Sequence, residues 1–132
     1  MNKMILEQTE PYNYLTRELF IRAKYKDDFI YPRGKVLEVE KGCIDSGQYL
    51  QLNCIEKNQK IITARYRVYG CPHTIASIEW LCEQIEGKTI DDLNKIELDN
   101  LKNLLLIPVE KTSLVLLLED VMDEIRLQLD LK

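Results

Sequence analysis

Apolar and polar positions along the chain alternate between two periods, and the switches between them mark the elements. From Pro11 to Lys26, Tyr14, Leu15, Leu19, Phe20 and Ala23 fall at roughly helical spacing with charges between them, which predicts a helix packed on a core. Asp27-Asp28 and Tyr31-Pro32-Arg33-Gly34 break that pattern, and Val36 to Glu40 follows with weak strand character. Tyr49 to Glu56 alternates, with Leu50, Leu52 and Cys54 on one face and Gln51 and Asn53 on the other. Lys57-Asn58-Gln59-Lys60 is a polar turn and Ile61 to Tyr69 returns as a second alternating run, so this stretch predicts a hairpin. At Gly70-Cys71-Pro72 the period changes. Ile75, Ile78, Leu81, Cys82 and Ile85 recur at helical steps, proline suits a first helical turn, and Gly87 is placed to end the helix. Thr89-Ile90-Asp91-Asp92 has the form of a capping box and opens a short helix; another is expected from about Asp99 to Leu105, stopped by Pro108. Thr112 or Ser113 is expected to cap a last helix, whose buried stripe is Leu114, Leu117, Leu118, Val121, Ile125 and Leu129, with Glu119, Asp120, Asp123 and Glu124 facing water. The order helix, strands, helices predicts an α+β fold: helices on one face of a small antiparallel sheet, in a single domain over residues 1–132.

At 132 residues the chain can bury a core without disulfides, and its net charge of −4 argues against a nucleic-acid surface or an anionic membrane as partner. The first residues lack a continuous apolar segment and include Glu7 and Glu10, unlike a signal peptide or an arginine-rich transit peptide. The longest apolar run, Leu114 to Leu118, is too short to cross a bilayer. The expectation is a cytoplasmic protein. In that reducing setting Cys43, Cys54, Cys71 and Cys82 are expected as thiols, ligands or nucleophiles rather than bridges.

Candidate chemistry centres on the Gly-Cys-Pro corner. A thiol at a helix start faces unpaired backbone N–H groups and the positive end of the macrodipole, which favour thiolate; the alternative is a small buried apolar side chain. Upstream, Cys43 and Asp45 form a C-x-D pair in a loop bounded by Gly42 and Gly47. If the hairpin brings loop and corner together, two thiolates and a carboxylate meet, a set suited to zinc or to part of an iron–sulfur cluster. His73 is spaced to complete a tetrahedral site, although the plainer expectation is an exposed first-turn residue. Cys54 and Cys82 lie on apolar faces and read as core. No Gly-rich phosphate loop, H-E-x-x-H pair or G-x-S-x-G elbow is present, and no nucleophile–base–orienter set can be traced, so the chain does not read as an enzyme.

The segment from Ala64 onward, with Ala64-Arg65, Tyr69-Gly70-Cys71, Ile75-Ala76-Ser77 and Gly87-Lys88-Thr89 in ungapped register, resembles IscU-type iron–sulfur cluster assembly scaffolds, the NifU N-terminal family. Cys43-Ile44-Asp45 resembles that family's Cys-Gly-Asp, Leu106-Ile107-Pro108-Val109-Glu110 its Hsp70-type chaperone recognition segment, and Leu118-Glu119-Asp120 its Leu-Ala-Glu-Asp. The resemblance implies a three-stranded antiparallel sheet and a platform function. By that resemblance sulfur is expected from a cysteine desulfurase, a labile [2Fe–2S] cluster is expected at Cys43, Asp45 and Cys71, and acceptor apo-proteins are expected to receive it; zinc suits the same ligands. The family's third cysteine and its preceding histidine are missing: the segment reads Glu110-Lys111-Thr112-Ser113-Leu114. Two further readings therefore stand beside the scaffold. One is a persulfide acceptor resembling SufE, with Cys43 as the acceptor; the other is a scaffold paralogue kept as a binding or regulatory module.

Overall fold

The computed structural model describes residues 12–26, 33–43, 45 and 47–130, apart from the side chains of residues 110 and 130. The break expected at Asp27-Asp28 and Tyr31-Pro32, and the loop residues Ile44 and Ser46, lie outside the described residues. Helix α1, Tyr14–Arg22, is shorter than the pattern predicts. Asn13 caps its start by accepting from the Thr16 N–H at 2.9 Å. Its end is set by tertiary contacts. Ala23 turns left-handed at φ 38°, an unfavourable conformation for a residue with a Cβ, and the chain then runs beside the sheet, where the Tyr66 N–H donates to the Tyr25 carbonyl at 3.0 Å.

Three antiparallel strands, β1 Lys35–Cys43, β2 Gln48–Lys57 and β3 Lys60–Tyr69, lie in the order β1-β2-β3. The β2–β3 turn uses positive φ at both Asn58 (54°) and Gln59 (68°), the mirror-image turn whose twist matches that of the strands. Strand β1 runs further than expected. Gly42 pairs with Tyr49 and Cys43 with Gln48, so Cys43 ends a strand and does not sit in an open loop. Leu37, Val39, Leu50, Leu52, Cys54, Ala64 and Tyr66 are buried on one face, while Val36, Glu38 and Glu40 are exposed on the other. A register shift at Ile55/Glu56 interrupts the alternation, so Ile55 is buried as well.

The helices cover the buried face, as an α+β architecture requires. Helix α2, Pro72–Ile85, buries Ala76, Ile78, Leu81, Cys82 and Ile85. Short helices α3, Ile90–Leu93, and α4, Leu101–Leu104, follow; Thr89 caps α3 by accepting from the Asp92 N–H at 3.2 Å. A single 3₁₀ turn, Val109–Lys111, leads straight into α5, Thr112–Asp130. The expected cap is not formed there: the Thr112 hydroxyl donates to the Val109 carbonyl at 2.7 Å and ties the turn to the helix. Leu114, Leu118, Val121, Ile125 and Leu129 form the buried stripe of α5, each contributing about 1.5–3 kcal/mol of burial. Gln128 fastens α5 to β1, donating to the Glu38 carbonyl at 3.0 Å and accepting from Lys35 Nζ at 2.8 Å.

Candidate functional site

An antiparallel meander places the end of β1, the start of β2 and the end of β3 at one end of the sheet. Cys43 closes β1, Asp45 lies exposed in the tight connection that follows, and Cys71 comes two residues after β3. The condition posed by the sequence is met as far as this: corner and connection share one end. A chain of side chains joins them. The register partner of Cys43, Gln48, donates through Nε2 to the Thr74 hydroxyl at 3.3 Å, and that hydroxyl lies 3.5 Å from Cys71 Sγ. Gly70 makes room for it, since a Cβ there would come within 3.0 Å of the Thr74 side chain.

Cys71 is the extended residue before α2, at φ −78° and ψ 169°, with Pro72 opening the helix as the sequence predicts. Lys111 Nζ donates to its sulfur at 3.1 Å. Burial opposes ionisation of this thiol, but the Thr74 hydroxyl and backbone and the Lys111 ammonium outweigh it, so Cys71 loses its proton more readily than an ordinary cysteine. Cys43 is exposed. Cys54 and Cys82 are core, as expected. Burial, helped by the Glu86 charge, pushes the Cys54 thiol up to about 12; burial and the neighbouring Cys54, Glu79 and Glu86 push Cys82 up as well.

His73 corrects an expectation. It is not an exposed first-turn residue: it is 1% exposed, with its ring edge-on to Tyr12 at 4.7 Å between centroids. Packing against the segment that leads into α1 covers it, and a helical pattern within α2 alone carries no trace of that contact. Neither ring nitrogen has a hydrogen-bond partner among the described residues. Burial first, and the Lys111 charge second, hold the imidazole neutral below its ordinary titration range.

Among the described residues no three of His, Cys, Asp and Glu gather closely enough to form a metal cage. Cys43, Asp45 and Cys71 thus share an end of the sheet without closing on one point, and the side chains in contact with the Cys71 sulfur are the Thr74 hydroxyl and the Lys111 ammonium. Gln48, Thr74 and Lys111 were not picked out from the sequence. For Lys111 the available signal is its place in the segment where the resemblance expects ligands.

Residues 29–128 match the family model described as NifU-like N terminal domain. The chain belongs to that family. It is 35% identical over 104 residues to "Iron-sulfur cluster assembly protein IscU" of Plasmodium falciparum, covering 72% of this chain and 64% of that protein. It is 32% identical over 66 residues to "Iron-sulfur cluster assembly enzyme IscU" of Drosophila melanogaster, covering 50% of this chain and 43% of the relative. It is 36% identical over 84 residues to "Nitrogen fixation protein NifU" of Trichormus azollae, covering 60% of this chain and 28% of that protein. The chain thus spans less than two thirds of the length of these curated relatives. In this chain the Lys111 ammonium lies against Cys71.

Proposed function

We propose that this protein works in iron–sulfur cluster assembly, accepting sulfur from a cysteine desulfurase and holding a labile [2Fe–2S] cluster as cargo for acceptor apo-proteins. It acts as a platform in the cytoplasm rather than as an enzyme. The observation that carries this reading is that Cys43, Asp45 and the thiolate-favouring Cys71 lie at the same end of the sheet in a NifU-like domain. Soft thiolates suit iron and zinc alike, and a set this sparse leaves coordination positions to an outside donor, which makes the cargo easy to release. Leu106 and Val109, 59% and 77% exposed, support a chaperone contact through Leu106–Val109.

A second reading, sulfur acceptance without a cluster, is favoured by the Lys111 contact with Cys71. Charging the protein with a desulfurase and cysteine in the absence of iron, then adding Fe(II) anaerobically, separates the two. Added sulfur followed by a visible-region cluster spectrum supports the scaffold; added sulfur with no spectrum supports the acceptor. No sulfur on any cysteine overturns both.

A further inference from the structure

Lys111 is delivered to Cys71 by built structure. Pro108 starts the 3₁₀ turn at φ −61° and ψ 152°, the Thr112 hydroxyl ties that turn to α5, and the ammonium reaches the sulfur at 3.1 Å. The same sulfur lies 3.5 Å from the Thr74 hydroxyl, which Gln48 holds from the β2 side at 3.3 Å. Two positions on, in the same first turn, His73 is buried to 1% with both ring nitrogens lacking a described partner, so the corner carries unused hydrogen-bonding capacity. A metal ligand needs other Lewis bases around the ion. An ammonium has three donors, no lone pair and a positive charge, so it repels a divalent cation and attracts an anion.

We propose that Cys71 is the residue loaded with sulfane sulfur, that Lys111 pairs with the resulting persulfide anion, and that Lys111 selects sulfur over a divalent metal at this thiol. The inference rests on the sulfur-accepting part of the proposed function. In the step, the Cys71 thiolate attacks the terminal sulfur of a donor persulfide. The donor's S–S bond breaks, its electron pair stays on the donor's inner sulfur, and that sulfur takes the proton the terminal sulfur carried. A new S–S bond joins Cys71 to the transferred atom, which on losing its proton takes up the negative charge that the Cys71 thiolate brought, and there is no net oxidation or reduction. Lysine's flexible four-carbon stem lets Nζ follow the charge as it moves outward by one sulfur.

Glutathione persulfide serves as a donor that needs no docking partner. Peptide mass mapping over time follows Cys71 and Cys43 in the same molecules, for wild type, Lys111→Met, Lys111→Arg and Cys71→Ser. Loading of Cys71 is expected to slow about tenfold in Lys111→Met, the size of one charged hydrogen bond lost, and to recover in Lys111→Arg. The Cys43 rate stays unchanged as an internal control for folding. Equal Cys71 rates in wild type and Lys111→Met, or sulfur on Cys43 alone, overturn the proposal. Titration with Zn²⁺ alone is expected to show about tenfold tighter binding by Lys111→Ala than by wild type, and equal affinities contradict the selection. With a desulfurase and cysteine as donor, loading confined to Cys43 keeps the proposed function and overturns this inference. Cys71 loaded by glutathione persulfide but not by the desulfurase supports the inference and removes the desulfurase reading.

Discussion

Glu79 is a carboxylate with a side chain 0% exposed, and replacing it tests how the helix that carries Cys71 is held. Its oxygens accept from Arg22 Nε at 2.8 Å, the Lys24 and Tyr25 N–H groups at 3.0 Å each, and the Tyr66 hydroxyl at 3.2 Å. Burial beside this charge pushes the Tyr66 phenol up, so it stays a donor. The arrangement pins the chain after α1, with left-handed Ala23, against α2 and β3. Glu79→Gln keeps the volume but removes the charge and turns an NH₂ toward groups that are themselves donors. Loss of charge assistance and one orphaned buried N–H together cost roughly 2–3 kcal/mol, and Glu79→Ala, which also opens a cavity, roughly 3–5 kcal/mol. With a urea slope of about 2 kcal/mol/M, the midpoint of Glu79→Gln drops by roughly 1 M. Arg22→Met is the comparison: its side chain is 40% exposed and also pairs with Glu83, and three other donors still hold the Glu79 carboxylate, so its cost is expected to be smaller than that of Glu79→Gln. Urea unfolding followed by circular dichroism measures both. A Glu79→Gln midpoint within roughly 0.2 M of wild type refutes the clamp. So does an Arg22→Met cost equal to that of Glu79→Gln, which would put the stabilisation in the ion pair instead.

Three further outcomes are expected. A Cβ at Gly42 would lie 2.2 Å from the Gln48 carbonyl oxygen at φ +80°, so Gly42→Ala is expected to cost roughly 2–3 kcal/mol in chemical unfolding; an unchanged midpoint contradicts that geometry. Iodoacetamide on the folded protein is expected to label Cys43 and Cys71, and Cys54 and Cys82 only after unfolding, because burial keeps the latter two protonated; labelling of all four in the native state counts against the core. His73 holds a proton less readily folded than unfolded, so the unfolded chain binds more protons below the ordinary histidine range. Its contribution is full above about pH 6.5 and is lost as pH falls below that toward the depressed folded value. Urea midpoints at about pH 8 and about pH 5.5 are expected to differ more for wild type than for His73→Phe, and equal differences refute the linkage.

What the sequence made legible was local. The β2–β3 hairpin followed from two alternating runs around a polar turn, and α2 from a proline start and a glycine after its end, because each signal acts within a few residues. The end of α1 was not legible, since the Lys24 and Tyr25 N–H groups that follow left-handed Ala23 donate to a carboxylate on α2, far along the chain. Glu79 itself sits between Ile78 and Leu81, where a charged residue reads as solvated until its donors are in place. At the candidate site the Gly-Cys-Pro corner and the C-x-D pair announced themselves by residue type. Lys111 reaches Cys71 across 40 positions and His73 is covered by Tyr12, contacts that only the packed fold creates.

In the proposed function a cluster is built at the Cys43, Asp45 and Cys71 end of the sheet. The most direct measurement is anaerobic reconstitution with iron, a cysteine desulfurase and cysteine, with absorption spectra and iron and acid-labile sulfide assays, on wild type, Cys43→Ser, Asp45→Ala and Cys71→Ser. A visible-region cluster spectrum is expected in wild type, lost in both cysteine variants and longer-lived in Asp45→Ala, because an oxygen ligand makes a cluster easier to lose. A wild type that binds neither iron nor sulfide, or a spectrum that survives unchanged in Cys43→Ser and Cys71→Ser, contradicts it.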